Sequence, residues 1–415
     1  MEMTLRQVSA VARLDVLPAL YRPSDLLRDG GIELEQLRSN AFRQDAIGPK
    51  VQYELVNTSG KVLGWVVVDN ITRGPAIGGT RIAPAVSLDE VSRLARAMTF
   101  KNAAAQIPHG GAKAGLLGDP VALNANPEEK KIFIQDYARA IAGVTDYIPG
   151  PDMGTNETDM QTIFEITDRA AGRPKEKGGI PLDELGLTGL GLVHYARATA
   201  THMDNFSFDG ASVLIEGYGN VGRGFAKHAK PYGVVVRGIS DVFGTFYNKQ
   251  GLDTRILGEL VDEMKCAPKK SLATIVRQKL PGTEFTPGDT KVLQSKEADI
   301  FLPAARGDTI SSYDAFRNMK VRLVLEGANI PATQQTEVIL WLNGIWVAPD
   351  FMANCGGVIG CAEEVAGHSI KRCIETVKSV AKGNAHAVAE RALNGCMSPR
   401  TAAYQIALER LVAQV

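Results

Sequence analysis

The apolar segment ASVLIEG (211–217) runs directly into Gly217-Tyr-Gly219-Asn-Val-Gly222, and the third glycine opens the helical stretch GRGFAKHAK. Few folds accept such a sequence. One glycine permits a tight turn, one lets an anion approach the backbone, and one lets helix and strand pack closely. The free N–H groups and the dipole at the start of the helix then favour a pyrophosphate. Asp241 ends the next apolar segment, VVVRGISD, where it is suited to accept hydrogen bonds from ribose hydroxyls. It could also merely cap a turn. Its charge and the uncharged Val-Phe-Gly that follow favour NAD, with NADP as the alternative.

Strand and helix patterns alternate around this motif. Candidate strands are Ser212–Glu216, Val234–Ile239, Asp299–Pro303, Arg322–Glu326 and Gly344–Ala348. Such alternation predicts a parallel sheet covered by helices on both faces. A Gly-, Pro- and charge-rich stretch, GRPKEKGGIPLDELG (172–186), precedes it as a boundary. The 415 residues suffice for two cores. The expected organisation is α/β: an N-terminal substrate-binding and assembly domain at 1–186, a Rossmann-type domain at 187–351, and C-terminal helices at 352–415 returning toward the first domain.

In the N-terminal part, residues 1–45 read as partly amphipathic helix. Val51 to Asn70 alternates about a turn at 57–60 and predicts a hairpin. Ser87 and Glu90 fit a capping box opening a helix to Ala104, with Val91, Leu94, Ala95 and Met98 as its apolar stripe. Helices are also expected at 127–143 and 157–171. Lys101 lies seven residues after Leu94, almost two turns, so both point the same way. It is either a lysine snorkelling at a helix end or a cation held for a substrate carboxylate. Lys113, in Pro108-His-Gly-Gly-Ala-Lys-Ala-Gly115, is either a loop lysine or an amine beside which a ligand can approach the backbone. Asp152, among Pro149, Pro151 and Gly154, is either a turn former or the acid–base partner of Lys113.

The 46 basic and 46 acidic residues cancel. That balance gives no electrostatic reason to expect nucleic acid or an anionic membrane as partner. No apolar run reaches membrane-spanning length, and the first residues lack a signal-peptide h-region. The five cysteines form no CxxC pair; neither a disulfide framework nor a metal site is expected, and a reducing cytoplasm is the default.

Taken together, GPAIGGTR (74–81), MTFKNA (98–103), PHGGAKAG (108–115), PDMGT (151–155), TGLG (188–191), GYGNVG (217–222), SD (240–241), DIFLPAA (299–305), EGAN (326–329) and PDFMANCGGV (349–358) resemble the glutamate/leucine/phenylalanine/valine dehydrogenase family. The resemblance implies oxidative deamination of an L-amino acid to a 2-oxo acid and ammonia, in a cleft between the two domains. It implies that Lys101 binds the α-carboxylate, that Lys113 polarises the attacking water, and that Asp152 transfers protons. Ile77, Gly79, Asn354, Val358 and Cys361 would line the substrate. Thr188, Gly217, Gly219, Asn220, Val221, Gly222, Asp241, Ala304 and Asn329 would hold the dinucleotide. A homo-oligomer, with a hexamer favoured, is implied too.

Glutamate-specific members usually carry a lysine where this chain has Ile77, and a serine where it has Cys361. A γ-carboxylate would thus be left unpaired, which costs several kcal/mol. The expected substrate therefore has a neutral or apolar side chain. The alternatives are a glutamate dehydrogenase anchored through Arg73 or His109, and a non-catalytic regulatory subunit that binds an amino acid.

Overall fold

The computed structural model describes residues 45–57, 59–264, 272–310, 317 and 319–413, together with the backbone of 3–10. Two compact units emerge. The first comprises 1–181, 361–369 and 410–415; the second comprises 182–360 and 370–409. The C-terminal segment 352–415, expected to pack back toward the first domain, divides: 361–369 and 410–415 cluster with the first unit, and 352–360 and 370–409 with the second. The reason is packing: the long helix Ile370–Asn394 lays Val377 against Gly191 and sends Asn384 Nδ2 to the Met352 carbonyl at 3.1 Å.

The first unit is built on strands β1 (Met3–Ala10), β2 (Val51–Asn57), β3 (Val62–Asn70), β4 (Ala76–Ala83), β5 (Gly111–Leu117) and β6 (Tyr147–Pro151), in the spatial order β1-β2-β3-β5-β4-β6. β2 and β3 form the expected hairpin. β1 corrects the helical expectation over its length, and residues 11–44 lie outside the described residues. β4 runs parallel to both β5 and β6, with Ile77 opposite Gly111 and Gly79 opposite Gly150.

Each face of this sheet is covered differently. On one, Ala112, Ala114 and Leu116 join Ile134, Tyr137 and Ile163 in the main core, the last three supplied by helices α2 (Pro127–Ile141) and α3 (Glu157–Thr167). On the other lies α1 (Leu88–Ala104), whose Val91 and Ala95 pack on Val67. Ser87 caps α1 by accepting from the Glu90 N–H at 3.2 Å. The reciprocal half of the expected capping box is not made, because the Glu90 carboxylate goes to Arg81 instead at 2.6 Å. The buried stripe also differs: Val91 and Ala95 are buried, while Leu94 and Met98 are half-buried.

The second unit is doubly wound, with strands β7 (Ser212–Glu216), β8 (Val235–Asp241), β9 (Gly244–Tyr247), β10 (Glu284–Pro287), β11 (Ile300–Pro303), β12 (Leu323–Leu325) and β13 (Trp346–Ala348) in the order β10-β9-β8-β7-β11-β12-β13. All five predicted strands are present and parallel. The antiparallel edge pair β9–β10 was not foreseen. Chain order reverses between β7 and β11, which creates a switch point at their carboxyl ends. Helices α4 (Leu187–Ala200) and α5 (Asn220–Ala229) pack closely: a Cβ on Gly189 would meet the Phe225 nitrogen at 2.2 Å. Among the described residues no helix is long and apolar enough to cross a membrane.

The glycines before Lys113 serve this packing. A Cβ on Gly111 would lie 2.1 Å from the Thr99 nitrogen of α1, a backbone atom that cannot swing aside. Gly111→Ala is therefore expected to destabilise the chain by about 3 kcal/mol through overpacking. Chemical denaturation of both proteins checks this, and an unchanged midpoint would mean that α1 can lift off the sheet at little cost.

Candidate active site

Side chains two residues apart on a strand share a face. Ile77, Gly79 and Arg81 of β4 therefore lie on the α1-covered face, beside Gly111, Lys113 and Gly115 of β5. Lys113 is not in a loop: it sits mid-strand and is 5% exposed. What approaches the backbone beside it is α1 itself.

Asp152 follows the end of β6, and its Oδ2 accepts a hydrogen bond from Lys113 Nζ. The same oxygen accepts from Arg81 Nε at 3.1 Å, while Arg81 Nη1 reaches Glu90 Oε1 at 2.6 Å. A partly buried chain of alternating charge results: lysine, aspartate, arginine, glutamate. Burial alone would raise the Asp152 carboxyl, but the charges of Lys113 and Arg81 hold it well below the usual carboxylate range. Its backbone is fixed too. The Asp152 N–H donates to Thr155 Oγ1 at 2.9 Å, and that hydroxyl donates to the Thr80 carbonyl at 2.8 Å.

Gly79 makes the meeting sterically feasible. A Cβ there would fall 2.9 Å from Asp152 Cβ and 3.0 Å from Lys113 Nζ. Behind it, the buried Tyr147 hydroxyl donates to the Gly78 carbonyl at 3.1 Å and bonds Thr80 Oγ1 at 3.2 Å.

Lys101 lies in the last turn of α1, half-buried. Its neighbours bolt that turn to the sheet. Thr99 packs on Gly111, and Asn102 Nδ2 donates to the carbonyls of Ile77 at 3.2 Å and Gly110 at 2.6 Å. Ile77 is 1% exposed. Cys361 Sγ stands 3.9 Å from where a Gly150 side chain would begin, on the strand next to Gly79. It is held there by Glu364, one turn on in helix α6 (Gly356–Val365), whose buried carboxylate accepts from the N–H groups of Gly172, Arg173 and Ile180 at 2.9–3.1 Å. Val358 of α6 is half-buried.

Both suggested alternative anchors are committed elsewhere. Arg73 donates to the Ile107 carbonyl at 3.0 Å and to the Arg410 carbonyl at 2.5 Å. His109 Nδ1 lies 2.9 Å from the Pro75 carbonyl, and burial lowers its pKa, so its ring is neutral near pH 7.

In the second unit, Gly217 has φ +91° and would clash through a Cβ with the Ala305 backbone at 2.7 Å. Ala304, just before it, donates its N–H to the Glu216 carbonyl at 2.7 Å. The turn and the end of β11 thus meet at the switch point. Gly219 is the N-cap of α5, no side chain caps it, and a Cβ there would meet nothing within 4 Å. Asn220, Val221 and Gly222 form the first turn. Asp241 ends β8, half-buried, and its Oδ1 accepts from the Val242 N–H at 2.6 Å. Thr188 stands in the first turn of α4; a Cβ on Gly357 would lie 3.3 Å from its hydroxyl. Asn354 Nδ2 lies 3.2 Å from the carbonyls of Gly327 and Ala328 and 3.3 Å from Asn329 Oδ1. These residues fit a dinucleotide: an open, uncapped helix start for pyrophosphate and an acid at the next strand end.

Family models match both parts of the chain: "Glutamate/Leucine/Phenylalanine/Valine dehydrogenase" over residues 178–415 and "Glu/Leu/Phe/Val dehydrogenase, dimerisation domain" over 49–169.

The chain belongs to the Glu/Leu/Phe/Val dehydrogenase family.

It is 32% identical over 361 residues to the NADP-specific glutamate dehydrogenase of Saccharolobus shibatae, covering 84% of this chain and 80% of that one. It is 34% identical over 308 residues to the NADP(+)-dependent glutamate dehydrogenase of Pyrobaculum calidifontis, covering 71% and 70%. The hetero-hexameric glutamate dehydrogenase of Thermus thermophilus in its Leu-bound form superposes with a TM-score of 0.76 at 26% identity, over 91% of this chain and 94% of that one.

The sequence reading missed two members of this dehydrogenase's charged chain. Arg81 was legible in principle, since it lies two residues beyond Gly79 on the same face. Glu90 was assigned to a cap. Because the Asp152 carboxyl is depressed in the folded state, its ion pairing contributes stability above the ordinary aspartate pKa and loses it as pH falls. Asp152→Asn is expected to flatten the acid side of the stability–pH curve, measured by melting temperature between about pH 6 and 3. A curve parallel to wild type would show that the pair adds nothing to folding.

Proposed function

We propose that Lys113 and Asp152 form the chemical centre of this enzyme and that its substrate carries a neutral or apolar side chain. The chain is an NAD(P)-dependent amino-acid dehydrogenase, acting on the CH–NH2 group to yield a 2-oxo acid and ammonia. The observation that carries the proposal is the contact between buried Lys113 and half-buried Asp152, made possible by Gly79.

The division of labour follows from charge. Lys101, half-buried in the last turn of α1, supplies a cation for the α-carboxylate. Asp152 is held ionised by Lys113 and Arg81, so it can accept a proton from the α-ammonium group. Lys113 donates hydrogen bonds to the water that attacks the imino acid and to the oxygen of the carbinolamine. Asp152 then returns a proton to the departing ammonia and takes up the hydroxyl proton released as the carbinolamine collapses to the 2-oxo acid. A bound nicotinamide dinucleotide would supply the hydride acceptor for Cα. Gly217, Gly219, Asn220, Val221 and Gly222 would hold its pyrophosphate, Asp241 the adenosine ribose, and Thr188, Ala304 and Asn329 the nicotinamide half. We favour NAD because the Asp241 carboxylate would repel a 2′-phosphate.

Ile77, buried two residues before Gly79 on the same face, and Cys361, beside Gly150, support the apolar substrate. Neither offers charge to a γ-carboxylate, and Arg73 and His109 are engaged with backbone carbonyls. A glutamate substrate is the second reading, favoured by the names of the relatives. A cytoplasmic homo-oligomer completes the proposal; six subunits are favoured because the Thermus protein is a hexamer, although that one is built from unlike chains.

Lys113→Ala is expected to stay folded and to lose turnover by roughly 10²–10⁴-fold; near-normal turnover would remove Lys113 from the chemistry. In a spectrophotometric screen with NAD and NADP, leucine- or valine-like substrates should give the higher kcat/KM, and Ile77→Lys should shift preference toward glutamate. A wild-type preference for glutamate would sink the side-chain assignment.

A further inference from the structure

One buried cluster in the second unit takes no part in the reaction described above. Arg400, in helix α7 (Pro399–Val412), is 7% exposed and faces three carboxylates. Its Nη1 donates to Asp350 Oδ1 at 2.6 Å, its Nη2 to Glu326 Oε2 at 2.5 Å, and its Nε to Glu337 Oε2 at 2.7 Å. The acids come from three places: the end of the segment after β12, the helix Gln334–Leu342, and the turn after β13. They are 0%, 2% and 4% exposed. So many buried charges are an expensive way to hold a fold that apolar side chains could hold.

The second observation lies beside it. Ile330 has φ +50°, a left-handed conformation that a β-branched residue rarely adopts. Such strain persists only where surrounding bonds over-determine it. Here the Ile330 N–H donates to Asp350 Oδ2 at 2.8 Å, and its carbonyl accepts from the Asp308 N–H at 2.9 Å. Asp350 is thus gripped from two sides, by Arg400 on one oxygen and by Ile330 on the other. Its own N–H closes the ring on Glu326 Oε2 at 2.9 Å. Asn329, the residue before the strained one, has its Oδ1 within 3.3 Å of Asn354 Nδ2.

We infer that Arg400 and Asp350 are positioning residues for dinucleotide binding: they lock Ile330 in its left-handed conformation and so aim Asn329 at the nicotinamide half. This rests on the reading that Asn329 contacts the dinucleotide. Asp350 must be an aspartate because both its oxygens face donors. An asparagine accepts on one side only and presses its NH2 against a donor on the other. Glycine at 330 would adopt the left-handed conformation without a lock.

The test compares full-length Asn329→Ala, Asp350→Asn, Ile330→Gly and the Asp350→Asn/Ile330→Gly double variant by calorimetric titration with NADH. Amide hydrogen exchange across 327–331 is followed in the free proteins. Asp350→Asn should weaken NADH about tenfold, deprotect the Ile330 amide, and leave the KM for the amino acid within twofold at saturating dinucleotide. The double variant should recover most of the lost affinity, which a merely structural defect would not. If Asp350→Asn does not fold, Arg400→Lys, which keeps the charge but loses the fork, carries the same comparison. A folded variant binding NADH within twofold of wild type, with Asn329→Ala weakened, overturns the lock. Normal NADH affinity in Asn329→Ala overturns the reading of Asn329 beneath it.

Discussion

A lysine ammonium and an aspartate carboxylate taken out of water together dominate the first unit. Each alone would be costly to bury; paired, and with Arg81 on the same oxygen, the two cations keep the Asp152 carboxylate charged. Much of the local sequence follows from that demand. β4 must carry a glycine at 79 so that the two side chains can touch. β5 must carry a glycine at 111 so that α1 can close over them. Thr155 must tie the Asp152 loop back to β4. Removing bulk at the strands and adding hydrogen bonds at the loop serve the same end.

In the second unit, the proposed dinucleotide site would hold an anion without a lysine. Gly217 and Gly222 shape a tight turn, Gly219 leaves the start of α5 open, and the helix dipole supplies the field. Elsewhere in this unit, three acids crowd one guanidinium, that of Arg400. Burial and mutual repulsion push Glu326 well above the usual carboxylate range and Glu337 up to about 7. In both units, then, charge withdrawn from water sits beside the residues proposed to bind ligand.

The nucleotide half was largely legible in the sequence, because its strands are apolar runs and its glycines fall at fixed spacing. β7 matches its expected limits, and the other four predicted strands differ by a residue or two at their ends. The substrate half was less so. β5 (GAKAGLL) and β6 (YIPGP) carry glycine, proline and a lysine, residues that propensity assigns to loops. They are strands because β4 pairs with both, a long-range fact that no local window contains. Lys113 and Asp152 were identified as a pair, yet the face they share follows only from that pairing. The Arg400 cluster was invisible, since its members lie up to 74 residues apart and none stands in a recognisable motif with another.

The central claim is that the buried pair performs proton transfer and does not merely hold the strands together. Pre-steady-state mixing of Asp152→Asn with amino acid and NAD tests it most directly, because folding, ligand binding and reduced-dinucleotide formation are read in one experiment. The account predicts wild-type dinucleotide affinity and a reduction rate lower by roughly 10²–10⁴-fold, with no fast burst. A burst at the wild-type rate from this variant would contradict it.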